Sequence, residues 1–518
     1  MSNITTAPVA AILFKRGLEP DETLAAELER HLAEAGVKAA LDRSPSTGEA
    51  WARETESHLR TAQVVVPLLS SESVHGEMFQ GQVEIAHNFA QEQAGRPGLV
   101  PVRVAWEGEL PEPLAGLMDE PQVIRWHSPA DTAAVAAEIV RRTRPGLRVQ
   151  QREGPPHRPA VIRFGPRPTA DLDPPPYPPE HPGGAVPLHS HFYARRAMDG
   201  ELEKALRERV STVLIKGARQ VGKTSLLARG LQSARESGCK VALMDYQKLN
   251  AHELENVQHF FMGLAESLAA QLDIDVDVRA FWDPERGANT NFERLLRREI
   301  LRRLNTHLVW AMDEVDRLFT CPFRNEVFAL FRSWHNERAT DPSGPWAGLT
   351  LAITYATEAH LLIDDPNMSP FNIGVRIELS DFTEEHVREL NRRHLGTPLK
   401  DDADLRRLLG LLGGHPFLIR RALYELAMGR LTLDALEATA DRDDGIFGEH
   451  LRRLLVMLAR EPGLQLMDVV RGVLRGQPCP TDESFFRLRS AGVMTGSVRA
   501  DVRPRCELYR RFLARHLL

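Results

Sequence analysis

A run of nine residues near the middle of the chain has the types and spacing needed for phosphate chemistry. Gly217-Ala218-Arg219-Gln220-Val221-Gly222-Lys223-Thr224 fits the pattern G-x-x-x-x-G-K-[ST], and Ser225 follows it. The two glycines permit a tight loop whose backbone N–H groups point at an anion. Lys223 would reach the outer phosphates of a nucleotide, and the hydroxyl of Thr224 would bind Mg²⁺. The pattern predicts a phosphate-binding loop.

Two adjacent acids further along the chain supply the second half of such a site. Asp313 and Glu314 end the apolar run 308–312, which has the composition of a buried parallel strand. A carboxylate at the carboxyl end of that strand lies where an acid holds hydrated Mg²⁺. We therefore predict Asp313 and Thr224 as metal-binding residues. Glu314 would orient or deprotonate the attacking water, which makes Glu314 and Lys223 the predicted catalytic residues.

The elements around these residues predict the domain that positions them. A short apolar strand at 213–215 precedes the glycine loop, and a segment with helical periodicity follows it. This order of strand, loop and helix is the context in which the motif binds phosphate. Further strands at 240–245, 349–354 and 375–379 alternate with helices. Together they predict a P-loop α/β domain over residues 189–381, with a sheet of about five strands.

A second α/β domain is predicted over residues 1–144. Apolar strands at 9–14, 37–41, 63–69 and 99–104 alternate with amphipathic helices. Strands that alternate with helices in this way form a parallel sheet with helices on both faces. The expected fold is a doubly wound, flavodoxin-type sheet.

Three further regions complete the predicted organisation. Residues 145–188 are dense in proline, including Pro174-Pro175-Pro176, which indicates an extended, semi-rigid linker. Residues 382–442 carry apolar side chains at steps of three and four, as in a small helical bundle that forms a lid. Residues 443–518 combine three helices, a β-like tail and a final helix, which is the outline of a winged helix.

Composition narrows the class of protein. A chain of 518 residues is too long for one hydrophobic core, and its net charge of −6 gives no global basic field for nucleic acid or a membrane surface. The four cysteines lack C-x-x-C spacing, which argues against a zinc site or a disulfide framework and suits a reducing cytosol. No signal pattern and no apolar run of ~18 residues is present, so we expect a cytoplasmic protein without a membrane span.

The N-terminal half resembles a TIR (Toll/interleukin-1 receptor) domain. The resemblance rests on A-A-I-L-F-K-R-G, L-D-R-S-P-S-T-G-E-A-W, V-V-V-P-L-L-S-S-E-S and E-M-F-Q-G-Q-V-E-I-A-H. Many such domains cleave the nicotinamide–ribose bond of NAD⁺ with a glutamate on the helix after the third strand. Gln82 stands at that position here, and Leu13 replaces the small polar residue that is usual in the first strand.

This departure from the family pattern leaves two hypotheses for the TIR-like domain. The neutral amide of Gln82 neither acts as a base nor stabilises an oxocarbenium-like transition state as a carboxylate does. The first hypothesis is therefore a non-catalytic module used for self-association or for binding another TIR-containing protein. The second is an NAD⁺ hydrolase effector gated by nucleotide, which needs another carboxylate, such as Glu77 or Glu84, to face the cleft. Because Glu84 is two helical positions from Gln82, we expect it to point elsewhere.

The remainder resembles an AAA-like ATPase near the STAND class (signal-transducing NTPases with numerous domains). The resemblance rests on F-Y-A-R-R, M-D-E-V-D-R-L-F, S-P-F-N-I-G-V-R-I-E-L and L-L-G-G-H-P-F-L-I-R-R-A-L-Y. It implies that ATP or ADP binds with Mg²⁺ and that Pro416 packs on the adenine base. It also implies that Arg195 and Arg196 lie on the adenine side and that Thr357 senses the γ-phosphate.

The two resemblances together imply a function. ATP would set the arrangement of the P-loop domain, lid and winged helix, and homo-oligomerisation would then cluster the TIR-like domains, as in bacterial defence or signal transduction. A third hypothesis is an ATP-dependent regulator that contacts DNA through the arginine-rich winged helix. The resemblance favours packing of that winged helix on the ATPase domain as an internal lock instead.

Overall fold

The computed structural model describes residues 9–41, 49–93, 96–108, 110–111, 114–118, 123–143, 176–250, 252–356, 370–459 and 465–518. The chain falls into two compact units. The first comprises Met1–Arg152, Thr439–Pro478 and Leu508–Leu518, so it joins residues from both ends of the sequence. The second comprises Glu153–Ala438 and Cys479–Glu507.

The first unit contains a parallel sheet flanked by helices. Its strands are β1 (Val9–Leu13), β2 (Lys38–Leu41), β3 (Val64–Leu69), β4 (Gly98–Leu99), β5 (Val102–Val104) and β6 (Ile124–Trp126). They are ordered β2-β1-β3-β5-β6, with β4 also paired to β3. The helices are α1 (Asp21–Glu34), α2 (Glu49–Thr61), α3 (Glu77–Glu92), α4 (Leu114–Leu117) and α5 (Thr132–Thr143). All six residues of the central strand β3 are buried, which explains its unbroken apolar sequence.

The second unit is built on a five-stranded parallel sheet, as predicted. Its strands are β7 (Thr212–Lys216), β8 (Lys240–Asp245), β9 (Leu308–Asp313), β10 (Leu349–Tyr355) and β11 (Val375–Glu378), in the order β11-β7-β10-β9-β8. Its helices are α6 (Ala197–Arg207), α7 (Lys223–Glu236), α8 (Val257–Gln271), α9 (Val278–Phe281), α10 (Ala288–Leu295), α11 (Arg302–Leu304) and α12 (Arg324–Thr340). A π-helical turn, Leu296–Leu301, joins α10 to α11.

Local capping explains one difference from the predicted helices. The sequence predicts a helix over 253–272, whereas α8 begins at Val257. The side chain of Asn256 accepts the backbone N–H of His259 and so caps the helix at that point.

A helical region follows, and the remaining elements of the chain are divided between the two units. The helices α13 (Glu384–Arg393), α14 (Asp402–Leu412), α15 (Pro416–Ala427) and α16 (Leu433–Thr439) occupy the predicted lid. Next come α17 (Gly448–Ala459), α18 (Leu466–Leu474), α19 (Asp482–Ser490), the antiparallel pair β12 (Met494–Thr495) and β13 (Arg503–Pro504), and α20 (Glu507–Leu517). Of these, α17, α18 and nearly all of α20 belong to the first unit.

The core of the second unit is rich in aromatic side chains. Phe261 stacks on Phe292 with ring centroids 4.6 Å apart, and Trp334 stacks on Trp346 at 4.5 Å. Trp310 on β9 is fully buried among them. These large side chains pack against one face of β9, the strand that ends in Asp313, and so hold that strand in place. Among the residues that the structure describes, no helix combines the length and apolar character needed to cross a bilayer.

Candidate phosphate-binding site

The loop between β7 and α7 has the backbone geometry of an anion cradle. Gly222 precedes α7 with φ of +99°, and Gln220 also has a positive φ of 61°. A Cβ atom at Gly217 would lie 2.7 Å from Cγ2 of Val221, so a larger residue would push the loop open. These constraints explain why the loop needs glycine at both ends and why α7 presents its N-terminus to the cleft.

Lys223 is buried inside the loop and faces the acid that follows β9. Its side chain is 3% exposed, and its Nζ lies 3.8 Å from Oε1 of Glu314. The same ammonium donates to the backbone carbonyl of Ala218 at 3.4 Å. The structure therefore brings the predicted lysine and the predicted catalytic acid to one place.

The two predicted metal-binding side chains also meet. The hydroxyl of Thr224 donates to Oδ2 of Asp313 at 2.7 Å. The other oxygen of Asp313 accepts the hydroxyl of Thr354 from the neighbouring strand β10. Thr354 Oγ1 in turn accepts the backbone N–H of Glu314 at 3.1 Å, so one threonine holds the carboxylate of Asp313 and the backbone of Glu314.

Sequence reasoning missed Thr354 as a residue of the site. Its signal is a hydroxyl near the carboxyl end of a fully buried strand. Its importance depends on strand order, because β10 lies between β7 and β9 and its Ile353 pairs with Met312. The predicted sensor residue, Thr357, lies outside the described residues.

Glu314 has an unusual backbone and an unusual environment. Its φ of 53° places it in the left-handed region, where a non-glycine residue is strained. A quarter of its side-chain surface remains accessible within the cleft. Loss of hydration by burial raises the pKa of Glu314 to about 7, assisted by the charges of Asp313 and Asp316 and opposed by Lys223.

The neighbouring arginines have different surroundings. Arg196 is 6% exposed, and its Nη1 donates to the carbonyl of Val221 at 2.9 Å and to that of Ser380 at 3.3 Å. Arg195 instead lies on the surface and pairs with Glu203 at 2.8 Å. Arg196 therefore stabilises the backbone of the phosphate-binding loop at Val221. For both arginines, a contact with a nucleotide base stays a prediction.

Two other predicted residues, Pro416 and Ser225, have structural surroundings in the second unit. Pro416 is buried as the first residue of α15, where a proline ring fits a helix N-terminus. The hydroxyl of Ser225 accepts the backbone N–H of Val186 at 2.9 Å, so this side chain holds a chain segment in place.

That segment corrects part of the predicted linker. Residues 176–188 pack within the second unit instead of forming an extended spacer. Arg229 of α7 donates to the carbonyls of Val186 and Pro187 at 3.0 and 2.8 Å. The backbone N–H of Tyr177 donates to the carbonyl of Arg393 in the lid at 2.7 Å. The segment thus connects the phosphate-binding helix to the lid.

A C-terminal segment also contacts the phosphate-binding loop within this unit. The backbone N–H of Arg219 donates to the carbonyl of Ser490, at the end of α19, at 3.3 Å. Arg505 donates to the carbonyl of Arg219 at 3.4 Å and pairs through two nitrogens with Asp381, the Nε contact measuring 3.0 Å. Residues 479–507 are hereafter called the docking segment. The end of α19 is hydrogen-bonded to the loop through Ser490.

In the TIR-like domain, the position at which the family carries its catalytic glutamate holds Gln82. Gln82 is 5% exposed on α3. Glu84 pairs with Arg453 of α17 at 2.6 Å, as expected for a residue that points elsewhere. The side chain of Glu77 lies outside the described residues. A different acid, Asp21, is buried at the start of α1, where it accepts the hydroxyl of Ser70 at 2.8 Å and where burial raises its pKa to about 6.

Comparisons with known proteins agree with this architecture. The AAA-like domain family matches residues 181–515, and the TIR domain family matches residues 13–140. An uncharacterised WD repeat-containing protein of Synechocystis sp. is 26% identical over 364 residues, which are 63% of this chain and 29% of that protein. The chain thus spans less than a third of that relative's length.

Solved structures show weaker likeness. A Walker-type ATPase of Pyrococcus abyssi is 17% identical, with 62% of this chain and 96% of that chain covered and a TM-score of 0.42. The Orc1 protein of Aeropyrum pernix in complex with DNA is also 17% identical, with coverages of 63% and 95% and a TM-score of 0.34.

Fold, loop geometry and acid pair together define a protein of the P-loop ATPase type. The chain belongs to the AAA-like domain family and carries a TIR domain at its N-terminal side.

Proposed function

We propose that this protein is an ATP-binding and ATP-hydrolysing switch of the STAND type that controls self-association of its TIR-like domain. The observation that carries the proposal is the convergence of Lys223, Thr224, Asp313 and Glu314 in one cleft at the carboxyl end of the sheet. Loop N–H groups, a buried ammonium, a hydroxyl and two carboxylates form the set of groups that a nucleoside triphosphate with a divalent cation requires.

The donor set fits Mg²⁺. Thr224 and Asp313 offer only oxygen ligands, which a hard cation prefers, and their oxygens are already 2.7 Å apart. Bound Mg²⁺ would neutralise phosphate charge during transfer. Thr354 would keep the Asp313 carboxylate in its orientation, since its hydroxyl already donates to that group.

The pairing of Lys223 with Glu314 supports a catalytic cycle. A phosphate group that enters the loop offers Lys223 a stronger partner than Glu314. The Glu314 carboxylate is then released to accept a proton from the attacking water. Arg196 would keep the loop backbone in place meanwhile, because it donates to Val221 within the loop.

The docking segment supports the switch. It is bonded to Arg219, so a rearrangement of the loop on nucleotide binding alters the contacts that hold this segment. ATP would favour the released arrangement, and ADP would favour the docked one. Release would permit homo-oligomerisation through the ATPase and TIR-like domains, with a role in bacterial defence or signal transduction.

Binding of ATP tests the proposal directly. We expect wild-type protein to bind ATP with Mg²⁺ in a calorimetric titration and Lys223→Ala to bind about ten- to a hundredfold more weakly, because a hydrogen bond to a charged group contributes about 1.5–3 kcal/mol. Lys204→Ala, which changes an exposed lysine on α6, serves as the matched control. Equal affinity of wild type and Lys223→Ala would contradict the assigned site.

The pH dependence of hydrolysis follows from the raised pKa of Glu314. A general base works as the carboxylate, so kcat/KM for ATP is expected to rise with pH through an inflection near 7. The rise between pH 6 and pH 8 should be about tenfold, because the ionised fraction of a group with this pKa grows by that factor. A steady-state phosphate-release assay measures it, and a flat profile over this range would exclude a base with the pKa of Glu314.

A further inference from the structure

Helix α17 from the C-terminal part of the chain packs against α2 and α3 of the TIR-like domain within the first unit. Nη2 of Arg453 on α17 lies 2.6 Å from Oε2 of Glu84 on α3. The two side chains are only 26% and 15% exposed, so the ion pair is largely withdrawn from water. A pair in that environment is more specific than a surface ion pair, because either charge left alone would be poorly solvated.

The surface of α3 is shaped for this close approach. A Cβ atom added to Gly81 would lie 2.7 Å from Nε and 2.9 Å from Cδ of Arg453. The side chain of Arg453 therefore crosses α3 directly over Gly81 before its guanidinium reaches Glu84. One turn before, Gly76 faces Glu449 of α17, whose Oε2 would be 3.3 Å from a Cβ at that position. Two residues of α17 thus occupy positions where α3 or its N-cap has no side chain.

Helix α17 is itself held rigidly. The imidazole of His450 hydrogen-bonds the hydroxyl of Tyr509 on α20 at 2.7 Å, and both side chains are buried. Arg452 donates to the carbonyl of Asp443 just before the helix. Leu451, Leu455 and Val456 are fully buried. The helix therefore brings a fixed, preorganised face to the TIR-like domain.

We propose that the α2–α3 face of the TIR-like domain is an interaction surface and that α17 is its intramolecular ligand, fastened by the Arg453–Glu84 pair. While α17 is bound, this face is closed to other copies of the chain. The sequence continues from the lid helix α16 into α17, so the lid and the ligand of the TIR-like domain share one covalent connection. The contact stands on its own geometry, and only its release by nucleotide rests on the proposed function.

A charge-exchange cycle in the full-length protein tests the contact. The variants are Arg453→Glu, Glu84→Arg and the double exchange, with Arg141→Glu on the exposed side of α5 as the matched control. Hydrogen exchange is measured for residues 77–92 and 448–459 without nucleotide, and the mass in solution is measured by sedimentation. We expect each single variant to raise exchange in both helices about tenfold and to increase self-association. The double variant and the control should resemble wild type.

The outcomes separate the two proposals. Wild-type protection in both single variants, or a double variant as unprotected as the singles, would overturn the role of the Arg453–Glu84 pair. The same exchange measurement is then repeated on Lys223→Ala with and without ATP. Loss of the nucleotide response there, with the charge-exchange result intact, supports both the contact and its control by ATP. A nucleotide response that survives in Lys223→Ala would contradict the proposed function and leave the contact established.

Discussion

Glu314→Gln is expected to bind ATP at least as tightly as wild type and to hydrolyse it about a hundred to ten thousand times more slowly, the range contributed by a positioned general base. Glutamine keeps the size of the side chain and its place after β9, but it accepts no proton. It also removes the negative partner that lies 3.8 Å from Lys223, so the ammonium is fully available to phosphate. Binding and hydrolysis should therefore separate in this variant.

The measurement pairs single-turnover phosphate release with retention of radiolabelled ATP on the protein. Asp316→Asn is the matched control, because it changes another acid whose charge acts on Glu314 from carboxylate to amide. Asp316 accepts the backbone N–H of Ala356 at 2.8 Å, a bond that an asparagine oxygen can also accept. We expect this control to hydrolyse ATP at close to the wild-type rate. Wild-type hydrolysis by Glu314→Gln would assign the base to another residue.

Much of the site could be predicted from the sequence because its groups are carried by contiguous patterns. The glycine spacing of 217–222 predicts a loop, and Lys223 and Thr224 come directly after it as the first residues of α7. An unbroken apolar run that ends in Asp313 and Glu314 predicts a central strand whose acids lie at the carboxyl end of the sheet, where nucleotide binds. The alternation of strands and helices likewise predicted both parallel sheets.

The residues that sequence reasoning did not find act across long separations in the chain. Thr354 reaches Asp313 only because β10 is inserted between β7 and β9, and no local pattern gives strand order. The family resemblance names Arg196, but its contact with the loop at Val221 likewise depends on packing between separate segments. Its sequence neighbour Arg195 points to Glu203 instead, although both had the same predicted role. Periodicity identifies elements, but it does not identify which elements pack together.

The folded position of residues 176–188 shows a second limit of the sequence. Their proline content predicts an extended spacer, and they do lack helices. Their backbone nevertheless finds specific partners, since Val186 is held by Ser225 and Arg229. Prolines restrict a segment to extended geometry, and extended geometry is equally suited to packing along a surface when the surface supplies donors and acceptors.

Arg505→Ala is expected to release the docking segment from the phosphate-binding loop and to speed ADP dissociation by about fivefold or more. The side chain of Arg505 is 6% exposed, joins the segment to Asp381 through two nitrogens, and also donates to Arg219 in the loop. Breaking a buried ion pair costs about 3–5 kcal/mol. Asp381 keeps 28% of its side-chain surface in contact with water, so we expect the loss to be about 1–3 kcal/mol. An energy of that size shifts a two-state equilibrium by about five- to 150-fold.

Stopped-flow release of a fluorescent ADP analogue measures this effect, and limited proteolysis of residues 479–507 reports on the segment itself. Arg503→Ala, on the exposed part of the same segment, is the matched control. Arg505→Lys keeps the charge but loses the two-nitrogen pairing, and its release rate should fall between wild type and Arg505→Ala. In Asp381→Asn the further replacement of Arg505 should add little, because the two side chains act as a pair. Unchanged ADP release in Arg505→Ala would show that the segment contacts the loop without controlling it, and the energy for switching would then have to come from the lid.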